Sequence, residues 1–250
     1  LNRFADQPTL AELRRQPLDS DARRLAISDQ ALPWLEAALW EAGMESSDLA
    51  LYQRLFRERE GWIAGCGERD PRYAFVVVIP IADRPRHLES CLESLLTLCQ
   101  QYGYGGMEGD RYRKVSAVIA DDSAQPENMR QHGVIARRYR ARGLAIEHFD
   151  QDAQRAVLAQ LEAADSSALE RVIGGEEGRY GHKGASLMRN ITYLWLAQRY
   201  RDNVRRLFHF IDSDQEFCIT RPTHAGGEKI YAIHYFHHLD RLFRTTDTLI

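Results

Sequence analysis

The chain has no excess of charge of either sign. Its 33 Lys and Arg stand against 36 Asp and Glu, a formal net charge of −3. Partners such as nucleic acid or an anionic membrane surface usually leave a strong basic excess, so neither is indicated. No apolar run reaches the ~18 residues that would cross a bilayer. The first twenty residues are polar and carry Arg3, Arg14 and Arg15, unlike the apolar stretch of a secretory signal. Cysteine is scarce: Cys66, Cys91, Cys99 and Cys218 have no metal-ligand spacing. Cys91 and Cys99 fall in an apolar helical pattern and read as reduced core thiols of a cytoplasmic protein. No G-x-G-x-x-G follows a strand-like run, which disfavours a dinucleotide-binding dehydrogenase. Internal repeats and low-complexity tracts are absent as well. The sequence begins at Leu1 rather than Met and stops in an apolar stretch at Ile250, which reads as a fragment of a longer protein.

What is present is a chain of 250 residues, 44% hydrophobic and 28% charged. That suits one α/β domain with an appendage, large enough to need no disulfides. Residues 1–72 read as helical. Pro33-Trp34-Leu35 with Leu39-Trp40 make one apolar stripe, and Leu49, Tyr52, Leu55 and Phe56 make a second. Both read as packing faces toward the next domain. The glycine-rich stretch Gly61 to Pro71 marks a boundary, so residues 73–250 form the second unit. There the continuous run Ala74-Phe-Val-Val-Val-Ile-Pro-Ile81 is the mark of a strand buried on both faces. Further strands are expected over 115–120, 144–149 and 206–211, with helices over 88–99, 127–142 and 184–200. Strands alternating with helices imply a mainly parallel, Rossmann-like twisted sheet with helices on both faces.

Three of these strands end in acids: Asp83, Asp121-Asp122 and Asp212-Ser213-Asp214. Ligands of open parallel sheets sit outside the carboxyl ends of the strands, so the acids should share one rim. Asp83 reads as a helix cap or turn former. In Asp212-Ser213-Asp214, residues two apart on an extended strand would place both carboxylates on one side. Two carboxylates so close repel unless a proton or cation separates them. A hard divalent cation that also binds a diphosphate resolves the repulsion. The basic counterpart is Gly181-His182-Lys183-Gly184 leading to Arg189-Asn190. Its glycines permit close approach, and the helix start offers free N–H groups to an anion. The loop from Gly174 to Lys183 is expected to stand away from the acids until a nucleotide arrives. The plainer reading of this segment is a surface loop with solvated charges.

FVVVIPIADRPRHLESCLESLL resembles the opening strand and helix of family-2 glycosyltransferases. VIADDS is similar to their second-strand aspartate motif, GHKGASLMRN to their loop ending in Arg-Asn, and FIDSD to their DxD. The four occur in the family's order over about residues 74–217. The first seventy residues lie outside the resemblance, and insertions near 102–113 and 150–179 lengthen the interval to DxD. The resemblance implies a GT-A fold and a metal-dependent hexosyl transfer, inverting in type. The donor would be a nucleoside-diphosphate sugar and the acceptor a hydroxyl of a glycan or other molecule. Asp122 would hold the nucleotide base, with Pro80 and Ile81 lining the same pocket. Asp212, beside Ser213, would contact ribose or metal, and Asp214 would ligate Mn²⁺ or Mg²⁺. Lys183, Arg189 and Asn190 would lie near the phosphates or sugar. An inverting reaction also needs a carboxylate base. Glu216, Glu228, Asp240 and Asp247 follow the DxD, none in a motif, so the base is unassigned and the acceptor half incomplete. His234 and His238, four apart, could share a metal from one helix face, although a polar surface or a satisfied core histidine is the plainer reading. Two alternatives stand beside the transferase: a sugar-nucleotide nucleotidyltransferase and a non-catalytic GT-A-like binding domain. The first would want a glycine-rich basic loop where this chain has Ala82-Asp83-Arg84-Pro85-Arg86.

Overall fold

The computed structural model describes residues 16–67, 69–162, 183–223 and 226–245. Two helices come first, α1 (Asp21–Glu41) and α2 (Ser46–Gly65). Strand β1 (Ala74–Ile81) and helix α3 (Pro85–Tyr102) follow, then a two-residue hairpin of β2 (Met107–Glu108) and β3 (Arg111–Tyr112). Next come β4 (Val115–Asp121), α4 (Pro126–Arg140), β5 (Ala145–Phe149) and α5 (Gln151–Glu162). Helix α6 (Ala185–Arg199), β6 (Arg206–Phe210), a hairpin of β7 (Ile219–Thr223) and β8 (Gly226–Ile230), and α7 (Tyr235–Thr245) complete the order.

The main sheet has the order β5-β4-β1-β6 and is parallel throughout. The chain builds outward from β1 to β5, then returns to lay β6 on the other side of β1. Alternation along the strands separates two cores. Phe75, Val77, Ile79 and Ile81 of β1 join Val115, Ala117 and Ile119 of β4 under α3 and α4. Val76, Val78, Val118 and Ala120 face the other way, against Val157 of α5 and Met188 and Ile191 of α6. Burial on both faces accounts for the uninterrupted apolar run of β1. One residue breaks it. Even-numbered N–H groups of β1 point toward β6, as the bond from Ala74 N to Arg205 O shows. Pro80 has no N–H to donate there, and the last β1–β6 bond is from Ile211 N to Val78 O. The ladder therefore ends just before Asp212.

Helices α1 and α2 share the first of these cores: Leu32, Leu39, Tyr52 and Phe56 are buried in it with the sheet residues. Of the stripe expected on α1, Leu39 is buried and Leu35 packs against the core, joined by Leu32, whereas Trp34 and Trp40 are 37% and 59% exposed. No described helix is long and apolar enough to cross a membrane.

Candidate functional site

Because the sheet is parallel, the residues that follow β4, β1 and β6 emerge at one rim. Ile81 pairs with Asp121 across β1–β4, and Val78 with Phe210 across β1–β6. By this register Asp122 falls beside position 82 and Asp212 beside position 80, so the two flank the end of β1 about 10 Å apart across the sheet and about two residues apart along it. This is also where the strand order reverses, the usual place for a ligand crevice.

The acids do different work. Asp83 sits in a left-handed conformation, φ 52°. Its carboxylate accepts from Ala124 N, Gln125 N and Asn128 Nδ2, each at 3.1 Å. It therefore caps α4, whose own N-cap Gln125 makes no side-chain cap bond, rather than the helix it precedes in sequence. Asp121 is fully buried. Its Oδ2 accepts from His132 Nδ1 at 2.9 Å and His148 Nε2 at 2.8 Å, and Oδ1 accepts from Ser123 N at 3.0 Å. Burial alone would raise this carboxyl. The bonds from His132, His148 and Ser123 outweigh it and hold the group well below the usual carboxylate range. Asp121 is the pin that fixes the turn carrying its neighbour.

Asp122 points to the opposite face of β4. One oxygen accepts from Lys183 N at 2.9 Å and the other from Gly184 N at 2.9 Å. The Lys183 side chain is also turned inward, 2% exposed, with Nζ 2.8 Å from Gln154 Oε1 and 3.7 Å from Asp122. Burial lowers its pKa, and the adjacent Asp122 opposes that shift. Lys183 and Gly184 are therefore seated on the acid, not displaced from it as expected. Residues 174–182 of that loop lie outside the described residues. Arg189 and Asn190 are on the exposed side of α6.

Asp212 and Asp214 are on a turn, not an extended strand. Gln215 N donates to Asp212 O at 3.0 Å, so strand alternation does not set the direction of the two side chains. The turn instead points Ser213 inward, 8% exposed, and leaves Asp212 and Asp214 exposed. Among the described residues, none hydrogen-bonds or ion-pairs with either carboxylate. The segment after the turn docks on α3 through Phe217 N to Ser94 Oγ, 3.0 Å. Burial pushes the Cys91 thiol up to about 12, and the nearby Glu216 and Asp214 carboxylates push the same way. Both acids thus lie close to the second turn of α3. A cavity of about 400 Å³ opens beside them, lined by His209, Ile211, Glu216, Phe217, Cys218 and Tyr235 among others.

The remaining acids separate clearly. Glu216 is held by Lys229 Nζ at 2.6 Å. Glu228 pairs with Arg221 at 2.7 Å. Asp240 is buried, accepting from Tyr73 N and Arg244 Nε. Asp247 lies outside the described residues. His234 and His238 are engaged separately. His234 is buried in an aromatic cluster, with Tyr102 stacked at 4.5 Å and Phe56 edge-on at 4.4 Å, and its Nδ1 accepts from His237 N at the start of α7. His238 faces Glu36, 3.1 Å away. No group of three or more His, Cys, Asp or Glu among the described residues could hold a metal alone.

Two exposed cations that were not among the expected ligands, Arg84 and Arg86, belong to this rim. Their only signal was position, since they follow the central strand directly. No family model, curated protein or solved structure matches the chain.

Proposed function

We propose that the chain is a metal-dependent glycosyltransferase domain that binds a nucleoside-diphosphate sugar at the carboxyl rim of its parallel sheet and transfers the sugar to an acceptor hydroxyl in the cytoplasm. The observation that carries this reading is the placement of Asp212 and Asp214. They are exposed and unpartnered among the described residues, at the point where Pro80 ends the β1–β6 ladder. Two unpaired carboxylates on one turn leave negative charge that a cation can neutralise. Two oxygen donors are too few for a protein cage around an ion. They suit Mg²⁺ or Mn²⁺, which keep waters and complete their shell with substrate phosphates. Asp212 and Asp214 would hold the ion, which as a Lewis acid supplies charge stabilisation to a departing diphosphate. Arg84, Arg86 and Arg189 are the exposed cations available for the remaining phosphate charge. With both oxygens engaged by Lys183 N and Gly184 N, Asp122 would act on the nucleoside indirectly, by ordering the start of α6 near Pro80 and Ile81. Glu216, beside the 400 Å³ cavity, is the acid best placed to serve as base toward an acceptor, once Lys229 yields it. The four cysteines are free thiols, in keeping with a reducing compartment.

A nucleotidyltransferase reading is less well supported, because the loop after β1, Ala82-Asp83-Arg84-Pro85-Arg86, has no glycine to bring its backbone close around phosphates. The test is a thermal-shift screen of nucleoside diphosphates and nucleotide sugars, each with Mn²⁺ and with EDTA. A ligand at a hundredfold excess over Kd stabilises the fold by about 2.7 kcal/mol. One nucleotide sugar should raise Tm by several degrees with Mn²⁺ and by little with EDTA. No shift with any of them would remove the transferase reading.

A further inference from the structure

The opposite rim of the sheet is strongly basic. A cleft of about 1120 Å³ opens at the amino ends of all four strands, where Phe75, Ser116, Ala145 and Arg206 lie. Its lining holds eight arginines and one lysine against two carboxylates, Asp70 and Glu147, in a chain whose net charge is −3. Some of these cations are accounted for by the fold. Arg72 is clamped by Glu60 and Asp70 at 2.6 and 3.0 Å, and Lys114 reaches Asp70 at 3.4 Å. Arg199 pairs with Glu147, and Arg206 with Asp202. Arg140 and Arg199 also lie in the last turns of α4 and α6, where a cation offsets the helix dipole.

Three arginines have neither explanation. Arg69, Arg111 and Arg205 come from two different connections and from β3, not from helix ends. Among the described residues Arg111 has only its neighbour Asp110, at 3.9 Å. Arg113, by contrast, donates from Nε to Gly105 O at 2.8 Å and lies 3.7 Å from Asp70. Arg205 donates to Tyr73 Oη at 2.8 Å and lies over that ring, and Arg69 is exposed. Converging like charges repel, and a set gathered around a concavity is relieved by an anion. Guanidinium forks match phosphate oxygens two at a time. The volume exceeds the ~300–1,000 Å³ of ordinary small-ligand sites, so it admits a ligand with several spaced anionic groups.

We infer that this cleft is a second, metal-independent site, which binds a small molecule bearing several phosphates. It is separate from the proposed donor site, since the two lie at opposite ends of the same strands. The probe is inorganic tripolyphosphate, titrated calorimetrically in EDTA at low and high salt. Binding should be detectable without metal and should weaken as salt screens the arginines. The triple variant Arg69→Ala, Arg111→Ala, Arg205→Ala removes side chains with few bonds of their own, and its thermal unfolding should match the native protein. Its affinity should fall at least about tenfold, as expected for losing charge-assisted bonds. Asp212→Ala with Asp214→Ala should bind tripolyphosphate like the native chain. No binding by the native protein, or equal binding by the folded triple variant, would overturn the assignment. So would a short single-stranded oligonucleotide that binds the cleft more tightly than tripolyphosphate, because the partner would then be a nucleic acid.

Discussion

Asp121 and Asp122 show how much one position decides on a strand. The two are adjacent, yet one faces α4 and the other α6, because successive side chains alternate. The buried member is the structural one. Asp121→Ala would leave the ring N–H groups of His132 and His148 without their acceptor, a cost of about 2–4 kcal/mol. The acid limb of stability should change as well. The folded carboxyl is depressed, so its contribution is complete above the unfolded value near pH 4 and is lost as pH falls below it. Urea midpoints measured from pH 5 to pH 2 should fall for the native chain, and Asp121→Asn should lack that component. None of this was legible beforehand. The pair DDS announces an acidic strand end, but His132 and His148 are 11 and 27 residues away.

At the scale of elements, the four strands of the main sheet and their order along the chain could be read from apolar runs and the polar turns that end them. Other elements gave no such signal. The β7–β8 hairpin is largely exposed and contains Pro222, so neither an apolar run nor alternation marks it. Asp83 looked like a cap and is one, but for α4, and only the pairing of β1 with β4 brings it there. Asp83→Ala should destabilise the protein by about 1–2 kcal/mol through the lost cap. Asp83→Asn should cost less, because asparagine keeps an acceptor and tolerates the left-handed conformation. Chemical denaturation of both variants checks the order. Helix α7 supplies a second pH effect, of opposite origin. Burial holds His234 well below its ordinary value, and burial with the charge of Arg59 brings His237 down to about 3. Both must stay neutral to fold, so stability is lost as pH falls below about 6.5, by roughly 1.4 kcal/mol per pH unit for each. The decline in urea midpoint between pH 6.5 and 5 should be shallower in His237→Phe.

Taken as a whole, the molecule puts its unpaired carboxylates, Asp212 and Asp214, beside a few arginines at the carboxyl rim, and gathers a larger set of arginines at the amino rim. The acidic rim could be read from sequence because each acid follows its strand directly. The basic cleft could not, since Arg69, Arg111, Arg113 and Arg205 are scattered over the chain and meet only through the sheet. A net charge of −3 conceals both. Metal dependence at the acidic rim is the central claim, and calorimetric titration of a nucleoside diphosphate with Mn²⁺ and with EDTA tests it most directly. The native protein should bind at least about tenfold more tightly with Mn²⁺. Asp214→Ala removes an exposed carboxylate that no described residue contacts, so it should stay folded and bind equally weakly in both conditions. Equal metal dependence in the native chain and in Asp214→Ala would contradict the account.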